Sequence, residues 1–293
     1  LELSNNKLKT IPSSLLELKN LNRISLQNNK FNISEEFYLK DPIKQITYLL
    51  ALQNNNNRAL NEAKLLVVGD ERVGKTSIIN RLVQQNYDTN QTTTEGIDIL
   101  NYKFANGIKL NIWDFAGQEI THQTHQFFLS RRSLYLLVID AQKEDIDSAI
   151  YNWLNVIKTN SENSPIIIVV NKIDRNRSFS FDINRYQKDF NIVEVCYISA
   201  EQEENIEVLI ETINKESRNL EGVSDIIPSE WFKIKDELEK FADNNQDFIE
   251  KSAFETLCEK YGVIDENSQD TLLTILNQIG TIVTYENHSR LNM

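Results

Sequence analysis

The feature that most constrains this chain is the nine-residue stretch GDERVGKTS at residues 69–77. It follows the apolar run 65–68 and precedes the helix-like run 78–83, so the order is strand, glycine loop, helix. This is the phosphate-binding pattern G-x-x-x-x-G-K-[ST] in the context that makes it specific. Glycines let backbone N–H groups point at phosphate oxygens, and the helix N-terminus adds unpaired N–H groups and positive charge. The stretch, called the phosphate loop below, predicts a nucleoside triphosphate site.

Individual residues of the phosphate loop are expected to bind different parts of this ligand. Lys75 is expected to reach the β- and γ-phosphates, and the Thr76 hydroxyl is expected to ligate Mg²⁺. The alternative is an ordinary strand–turn–helix connection, but the pattern has roughly a one per cent chance of arising from composition alone in such a chain. The residues predicted to surround the nucleotide here are Gly69, Glu71, Arg72, Val73, Gly74, Lys75, Thr76 and Ser77.

Composition excludes several kinds of partner. The 293 residues suggest about two domains, and 31 basic against 43 acidic residues give a net charge of −12. This charge argues against a nucleic-acid or anionic-membrane surface, so a polyphosphate must be held by a local positive site. No apolar run approaches the ~20 residues of a transmembrane segment, and no signal peptide is visible. Cys196 and Cys258, in no metal-ligand spacing, fit a reducing compartment, and we expect a cytoplasmic location.

The beginning of the chain contains a repeated octapeptide. Residues 1–8, LELSNNKL, recur 23 positions later as residues 24–31, ISLQNNKF. The form L-x-L-x-x-N-x-L at this period is the leucine-rich-repeat signature; a chance leucine-rich amphipathic segment is the alternative. One and a half repeats cannot bury a core, since roughly three are needed. We therefore assign residues 1–33 to the end of a repeat array, and we expect either further repeats before Leu1 or packing on the next domain.

Residues 34–62 are expected to connect this array to the next domain. The apolar stripe over 34–52, with Pro42 in a helix first turn, predicts a helix. The asparagine-rich run 53–57 predicts a solvated turn or linker. No residue pattern in this segment indicates chemistry.

A polar loop and a hairpin follow the phosphate loop. The loop ends in TTTEG at residues 92–96, and the Asn106-Gly107 turn between two strand-like runs predicts a hairpin, which adds one antiparallel strand to a parallel βαβ pattern. The second strand runs into a D-x-x-G motif, Asp114 to Gly117. An aspartate at a strand end can hold a Mg²⁺-bound water, and a glycine N–H can meet a γ-phosphate. D-x-x-G alone is also an ordinary turn.

The motif N-K-x-D at Asn171, Lys172 and Asp174, which follows a buried strand, predicts the base. The Asp174 carboxylate can accept hydrogen bonds from N1 and the 2-amino group of guanine. Adenine offers neither group, and sites built on such pairs reject analogues strongly. Asn171 would support the loop and the polar edge of the base, and the Lys172 stem would lie over the ring. After the next strand, the small residues Ser199-Ala200 let the Ala200 N–H reach guanine O6.

In this order and at these separations, the motifs over residues 63–222 resemble the five G-motifs of Ras-like GTPases. The resemblance implies an α/β P-loop G domain with a six-stranded, mostly parallel sheet. It also implies a Mg²⁺-contacting threonine shortly before a glycine, for which Thr94 is favoured over Thr92 or Thr93. The predicted metal ligands are Thr76, Thr94 and Asp114.

Catalytic roles follow from the same resemblance. Gln118 stands where Ras-type enzymes place the glutamine that orients the attacking water. No arginine finger can be assigned, because each candidate has the simpler interpretation of a surface charge; the candidates are Arg72, Arg131 and Arg132. The predicted catalytic residues are Gln118, Lys75 and Gly117.

The wider arrangement resembles the Roco family, in which a Ras-of-complex-proteins (Roc) GTPase domain precedes a COR domain. The features shared are the repeat, the connecting helix, and a G domain with DFAGQE at 114–119 and HQFFLS at 125–130. The resemblance implies slow GTP hydrolysis and regulated self-association. It also implies that residues 223–293 are the first part of COR, COR-A, and that the dimerising second part lies beyond Met293. We therefore expect this chain to be monomeric and the full-length protein to be a homodimer.

Residues 223–293 are predicted to be mainly helical and similar to a winged helix. A helix opens at Pro228, a capping box S-x-x-E starts a second helix at Ser252, a third covers 268–279, and a short wing follows. From Pro228 onward this segment has six basic and thirteen acidic residues. Because phosphate attraction dominates DNA affinity, DNA binding is not expected.

Two functions are consistent with these sequence features. The first is a GTP/GDP-binding switch with slow Mg²⁺-dependent GTP hydrolysis, which couples nucleotide state to COR-mediated conformational change or dimerisation. The second is a scaffold that binds protein partners through the repeats and COR, with a mainly structural nucleotide.

Overall fold

The computed structural model describes residues 1–31, 41–53, 56–83, 97–115, 133–143, 146–161, 163–220, 222–243 and 248–282. These form two compact units: a flanking unit, Leu1–Asn61 with Ser224–Met293, and a central unit, Glu62–Val223. In chain order the elements are a 3-10 helix (Ser13–Glu17), α1 (Pro42–Leu52), β1 (Asn57–Ala59), β2 (Glu62–Val68), α2 (Lys75–Leu82), β3 (Ile97–Lys103), β4 (Lys109–Phe115), β5 (Ser133–Asp140), α3 (Asp147–Ser161), β6 (Ile166–Asn171), α4 (Asn184–Gln187), β7 (Ile192–Tyr197), α5 (Ile206–Asn219), β8 (Ile226–Pro228), α6 (Ser229–Asp243), α7 (Lys251–Lys260) and α8 (Glu266–Gln278).

The central unit is built on a six-stranded sheet of order β3-β4-β2-β5-β6-β7. All neighbouring strands are parallel except β3 and β4. The interior strands β2, β5 and β6 are buried along their whole length, as expected of aliphatic runs covered on both faces. The predicted hairpin is confirmed: Phe104 N–H donates to Ile108 O at 2.9 Å, and Gly107 in the turn has φ +91°. The predicted α/β fold class is therefore correct.

The two copies of the repeated octapeptide lie side by side in the flanking unit. Glu2 and Ser25 form a parallel bridge, and the Asn29 side chain donates to the carbonyls of Leu3 and Leu26, both at 2.8 Å. Leu26 is fully buried beneath them. Asn29, the second asparagine of the second copy, thus satisfies backbone groups of both copies.

Helix α1 packs within the same unit as the C-terminal helices. Its first turn is capped by Asp41, whose carboxylate accepts from the backbone of Ile43 at 2.8 Å. Lys44 Nζ donates to Thr274 Oγ1 of α8 at 2.8 Å. Tyr48, fully buried, donates to Ile226 O at 2.6 Å. The segment predicted to be a connecting helix is therefore integrated into the flanking unit.

A two-stranded ribbon joins the chain segments on either side of the central unit. Strand β1 pairs antiparallel with β8, from Asn57 opposite Pro228 to Ala59 opposite Ile226. The sequence predicted only a polar linker near Asn57, so this strand was missed. Three residues are too short for a periodic signal, and the partner strand lies at the far end of the chain.

The C-terminal helices of the flanking unit share one apolar core, with Trp231, Phe254 and Leu272 among its buried members. The predicted capping box was wrong, because α7 begins at Lys251 and its N-cap, Glu250, makes no side-chain cap hydrogen bond. Most of the predicted wing lies outside the described residues. No helix in the described ranges has the length and apolarity required to cross a bilayer.

Candidate nucleotide-binding site

The predicted motifs meet at one edge of the central sheet. The phosphate loop follows β2, the 114–118 motif begins inside β4, the N-K-x-D motif begins at the last residue of β6, and Ser199-Ala200 follow β7. These strands are parallel, so their carboxyl ends lie together. This is where open α/β sheets bind ligands.

Two glycines set the shape of the phosphate loop. Gly69 has φ +143° and Gly74 has φ +97°. A Cβ on Gly69 would lie 2.3 Å from Val138 O, and one on Gly74 would lie 2.3 Å from Asn171 Nδ2. Neither position can accept a side chain without displacing its neighbour, so the glycines allow the loop to contact both β5 and the N-K-x-D motif. Gly74 is also the N-cap of α2, whose first residue is Lys75.

Lys75 is held inside this loop. Its Nζ donates to Gly69 O at 3.0 Å and to Asp70 O at 2.9 Å, and only 7% of the residue is exposed. Burial lowers the pKa of its ammonium group, while the carboxylates of Asp114 and Asp70 act in the opposite direction. A buried cation in the first turn of a helix is suited to a polyphosphate, which would supply further negative charge.

Thr76 and Asp114 form the candidate metal position. Thr76 Oγ1 donates to Asp114 Oδ2 at 2.6 Å, and Asp114 is buried at the end of β4. The hydroxyl keeps lone pairs after this donation, and oxygen ligands of this kind suit Mg²⁺. In the described part of the chain, no group of three or more His, Cys, Asp or Glu could hold a metal. Because Mg²⁺ is usually bound through one or two protein ligands and substrate phosphates, the Thr76–Asp114 pair is a candidate for Mg²⁺ shared with phosphates.

The N-K-x-D motif is joined to the phosphate loop by two side chains. Asn171 Nδ2 donates to Val73 O at 2.9 Å. Lys172 Nζ donates to Arg72 O at 2.8 Å and to Asp140 Oδ2 at 2.6 Å. The phosphate-binding and base-binding halves are therefore one hydrogen-bonded assembly before any ligand contact is considered. Asp140, the last residue of β5, was not singled out from sequence, since a lone aspartate after an apolar strand has no distinctive signal.

Asp174 presents an acceptor atom that has no hydrogen-bond partner among the described residues. Its Oδ1 is buried and makes no hydrogen bond in the described part of the chain, and its Oδ2 lies 3.8 Å from Arg175 Nε. Buried polar atoms are almost always satisfied, so such an exception calls for an explanation. The predicted guanine N–H donors provide one, and this orphan oxygen fits a guanine nucleotide.

Ala200 is engaged differently from the sequence expectation. Its N–H, predicted to reach guanine O6, donates to Asn171 Oδ1 at 3.1 Å. The same N–H must be shared or released if it is to meet the base. Ser199 is fully buried, and its Oγ accepts from Gln202 N at 3.0 Å. The small residues thus allow a tight turn packed against the N-K-x-D motif.

Asp70, which the sequence did not single out, anchors the start of the phosphate loop. Its carboxylate accepts from Trp153 Nε1 of α3 at 2.9 Å and from Lys143 Nζ at 2.8 Å. Burial acts to raise the pKa of Asp70, but the Lys143 and Trp153 hydrogen bonds outweigh it, so the pKa is lowered. The phosphate-loop pattern leaves this position free, and only the folded structure brings α3 to it.

The remaining predicted residues are peripheral to these contacts or cannot be placed. The Arg72 side chain is 85% exposed, with Nε 3.9 Å from Glu71 Oε1, and Ser77 lies in the first turn of α2. The exposure of the Arg72 side chain fits its interpretation as a surface charge. The predicted residues Thr94, Gly117, Gln118, Arg131 and Arg132 lie outside the described residues, and their roles stay predictions.

Comparison with known proteins gives two domain matches. Residues 64–174 match the family model described as "Ras of Complex, Roc, domain of DAPkinase". Residues 228–293 match the model described as "C-terminal of Roc, COR-A domain". Both fall where the sequence placed its G domain and its COR-A segment.

Individual relatives agree with these matches. A Roc-COR-CHAT protease from Runella zeae is 29% identical over 94% of this chain, which spans 33% of that relative's length. The Ras-related protein Rab-3 of Caenorhabditis elegans is 31% identical over 51% of this chain and 71% of its own length. The solved structure of Methanosarcina barkeri Roco2 RocCORdC bound to GDP is 37% identical, with a TM-score of 0.69 over 79% of this chain and 71% of that one.

Proposed function

Because the chain belongs to the Roco family and carries its Ras-like Roc GTPase domain, we propose that it is a GTP- and GDP-binding switch with slow, Mg²⁺-dependent GTP hydrolysis. The observation that carries the proposal is the buried Oδ1 of Asp174, which has no hydrogen-bond partner in the part of the chain that the structure describes. It stands beside Asn171 and Lys172, which are already bonded to the phosphate loop. A site organised in this way can hold a guanine base and a polyphosphate together.

Different residues of this chain would have different roles in GTP hydrolysis. Gln118 orients a water for in-line attack on the γ-phosphorus, the bond to the bridging β–γ oxygen breaks, and GDP and phosphate leave. Lys75 and the Gly117 N–H stabilise the charge on the transferred group. Thr76 and Asp114, with Thr94, would hold Mg²⁺, which would neutralise charge on the β- and γ-phosphates. An arginine finger would further stabilise the charge on the transferred group, but none can be assigned in this chain; slow turnover is what the family resemblance implies.

Switching would follow from contacts with the γ-phosphate. Thr94 and Gly117 contact it in the GTP state and release it after hydrolysis. The change is passed to the COR-A segment as a conformational change or as self-association in the cytoplasm. Protein partners bind through the repeat and COR segments.

Ligand-dependent stability tests the nucleotide assignment. Saturating GDP or GTP with Mg²⁺ should raise the Tm, because a ligand at about 100 times its Kd adds roughly 2.7 kcal/mol to the native state. ADP and ATP should not. Asp174→Asn should lose the GDP shift and respond instead to xanthosine diphosphate, whose 2-carbonyl can accept from the new amide. The exposed Asp182→Asn is the matched control. No shift with either guanine nucleotide in the unaltered protein would end the proposal.

Turnover measured against protein concentration tests the hydrolytic part. We expect slow hydrolysis whose specific activity does not change with concentration. A specific activity that rises with concentration would instead mean that catalysis requires two copies of the chain. Chelation of Mg²⁺ should abolish turnover in either case.

The scaffold alternative is favoured by one observation: the N- and C-terminal segments form their own compact unit. A scaffold with a structural nucleotide should show the same protease cleavage with GDP and with a non-hydrolysable GTP analogue. The switch should show a nucleotide-dependent difference within residues 84–96 and 115–130. Identical cleavage patterns would favour the scaffold.

A further inference from the structure

Arg81, at the end of α2, reaches from the phosphate-loop helix to the turn at residues 199–204, called the base turn below. Its Nε donates to Ala200 O at 2.9 Å, its Nη2 lies 3.4 Å from Glu201 O, and its Nη1 pairs with the Glu203 carboxylate. The side chain is only 15% exposed. A guanidinium withdrawn this far from water requires hydrogen-bonded partners, and here the base turn supplies them.

The base turn itself is a closed structure. Ser199 and Glu204 exchange two backbone hydrogen bonds, of 3.1 Å and 3.0 Å. The Gln202 N–H donates inward to Ser199 Oγ at 3.0 Å. The carbonyls of Ala200 and Glu201 are the groups that Arg81 contacts. The turn is therefore fixed internally by its own backbone and held against α2 by one arginine.

The geometry of the peptide bond links the contact at Ala200 O to the direction of the neighbouring backbone N–H group. In a planar trans peptide, the carbonyl of one residue and the N–H of the next point in opposite directions. By gripping Ala200 O, Arg81 therefore directs the Glu201 N–H away from α2. The preceding N–H, that of Ala200, is fixed on its own side by Asn171 Oδ1 at 3.1 Å. Both N–H groups of the base turn next to the N-K-x-D motif are thus held in direction by side chains of other segments.

We propose that Arg81 is a positioning residue for base recognition: it holds the base turn so that the Glu201 N–H, and the Ala200 N–H once it is shared with or released from Asn171 Oδ1, meet O6 of guanine. The inference rests on the proposed function and deepens it. It separates two sides of the base, because Asp174 would bind N1 and the 2-amino group while the Arg81-held turn would bind O6. Arg81 is not a phosphate ligand in this role, since its guanidinium is committed to the base turn.

A ligand cycle tests this division. The affinities of GDP, 6-thioguanosine diphosphate and inosine diphosphate are measured for the unaltered chain, Arg81→Ala and Arg81→Lys, by competition with a fluorescent GDP. Sulfur is a weak acceptor, so the thio ligand weakens mainly the O6 contact; inosine lacks only the 2-amino group. The unaltered protein should prefer GDP to the thio ligand by about fivefold, the scale of one net hydrogen bond. In Arg81→Ala this ratio should fall towards one, while the GDP-to-inosine ratio stays unchanged.

The variants separate positioning from general damage. Arg81→Lys keeps a charge for Glu203 but not the fork that spans two carbonyls, and should give an intermediate ratio. Arg218→Ala, which removes an exposed arginine of α5, should leave every ratio unaltered. Equal weakening of all three ligands in both Arg81 variants, or no weakening at all, overturns the inference while leaving nucleotide binding intact. Failure of the unaltered chain to bind GDP overturns the proposed function itself, and the inference with it.

Discussion

At the scale of single residues, the site depends on positions where one added atom has no space. Gly74 is the sharpest case, because its missing side chain is the space that Asn171 Nδ2 occupies. Asn171 in turn reaches both Val73 and Ala200. A single glycine thus lets the phosphate loop and the base-binding residues approach each other.

Gly74→Ala should therefore separate the two halves of the site. The new Cβ would meet Asn171 Nδ2 at 2.3 Å in a backbone conformation with φ +97°. Gly107→Ala is the matched control, because Gly107 has φ +91° but nothing lies within 4 Å of its added Cβ. Both variants carry a strain of about 1 kcal/mol. Only Gly74→Ala should also weaken GDP binding, by more than about tenfold, as an equilibrium titration would measure. Equal GDP affinity in the two variants would contradict this account.

Single residues also show what sequence alone could predict. Gly69, Gly74, Lys75, Thr76 and the N-K-x-D motif stand in fixed local patterns, because phosphate and base chemistry require those residue types at those spacings. Asp70, Asp140 and Arg81 do not, since any residue type can occupy their positions in the motif. Their partners come from other strands and helices, so their roles became visible only once the chain was folded.

At the scale of elements, α3 is coupled to the phosphate loop by one indole. Trp153→Phe removes the N–H that donates to Asp70 Oδ1 but keeps most of the buried ring. Asp70 keeps Lys143 alone, so the start of the loop is less firmly held. GDP dissociation, followed by displacement of a fluorescent nucleotide, should accelerate about threefold to tenfold, the equivalent of one hydrogen bond. Tyr151→Phe, an exposed change on the same helix, should have no effect. Equal GDP dissociation rates in the two variants would show that Trp153 does not couple α3 to the phosphate loop.

The buried strand β2 contains a lysine, Lys64, whose ionisation should make the stability of the protein depend on pH. Burial lowers the pKa of Lys64 to about 7, although the Trp113 ring, 3.8 Å from Nζ, favours the cation. The lysine regains its usual pKa near 10.5 when unfolded. Between these values the unfolded state binds more protons, so stability should rise with pH, by at most about 1.4 kcal/mol per pH unit.

Lys64→Met should remove this rise, because methionine keeps the length of the side chain without its charge. The difference in unfolding free energy between the unaltered chain and the variant, measured from pH 7 to pH 9.5, isolates the Lys64 contribution. Lys188→Met, at an exposed lysine, should leave the pH profile unchanged. A Lys64→Met profile parallel to that of the unaltered chain would show that the lysine titrates normally.

Elements differ in how far the sequence predicted them. The apolar runs of β2, β5 and β6 and the Asn106-Gly107 turn carry strong local signals, and the sheet follows from them. The short ribbon strand β1 carries none, because its asparagine-rich surroundings have the composition of a linker. Its conformation is decided by hydrogen bonds to β8, which no local pattern encodes.

At the scale of the whole molecule, the N-terminal segment, residues 1–61, and the COR-A segment are parts of one unit. Tyr48 illustrates this: it is fully buried, bonds Ile226 O at 2.6 Å, and stacks on Trp231 with ring centroids 5.9 Å apart. Both of these partners come from the other end of the chain. The N-terminal segment therefore contributes directly to the stability of the C-terminal helices.

Tyr48→Ala should destabilise the flanking unit by about 3–5 kcal/mol, the usual cost of removing a large buried aromatic side chain. Amide hydrogen exchange should show the loss of protection in α6 and β8, with the central strands β2 and β5 unaffected. Phe248→Ala, which truncates an aromatic residue that is 77% exposed in the same unit, is the control. Loss of protection that spreads equally through the central strands would show that the two units unfold together.

The β1–β8 ribbon also determines how the G domain is inserted in the chain. Leu60 N–H donates to Asp225 O at 2.7 Å, so the polypeptide leaves the flanking unit and re-enters it at adjacent positions. In topological terms residues 62–223 are a loop inserted into the end of a hairpin. A short turn could close that hairpin directly. The repeat and COR-A segments could then be produced as one continuous protein without a GTPase, and a Roc domain from a relative could be exchanged at the same two positions.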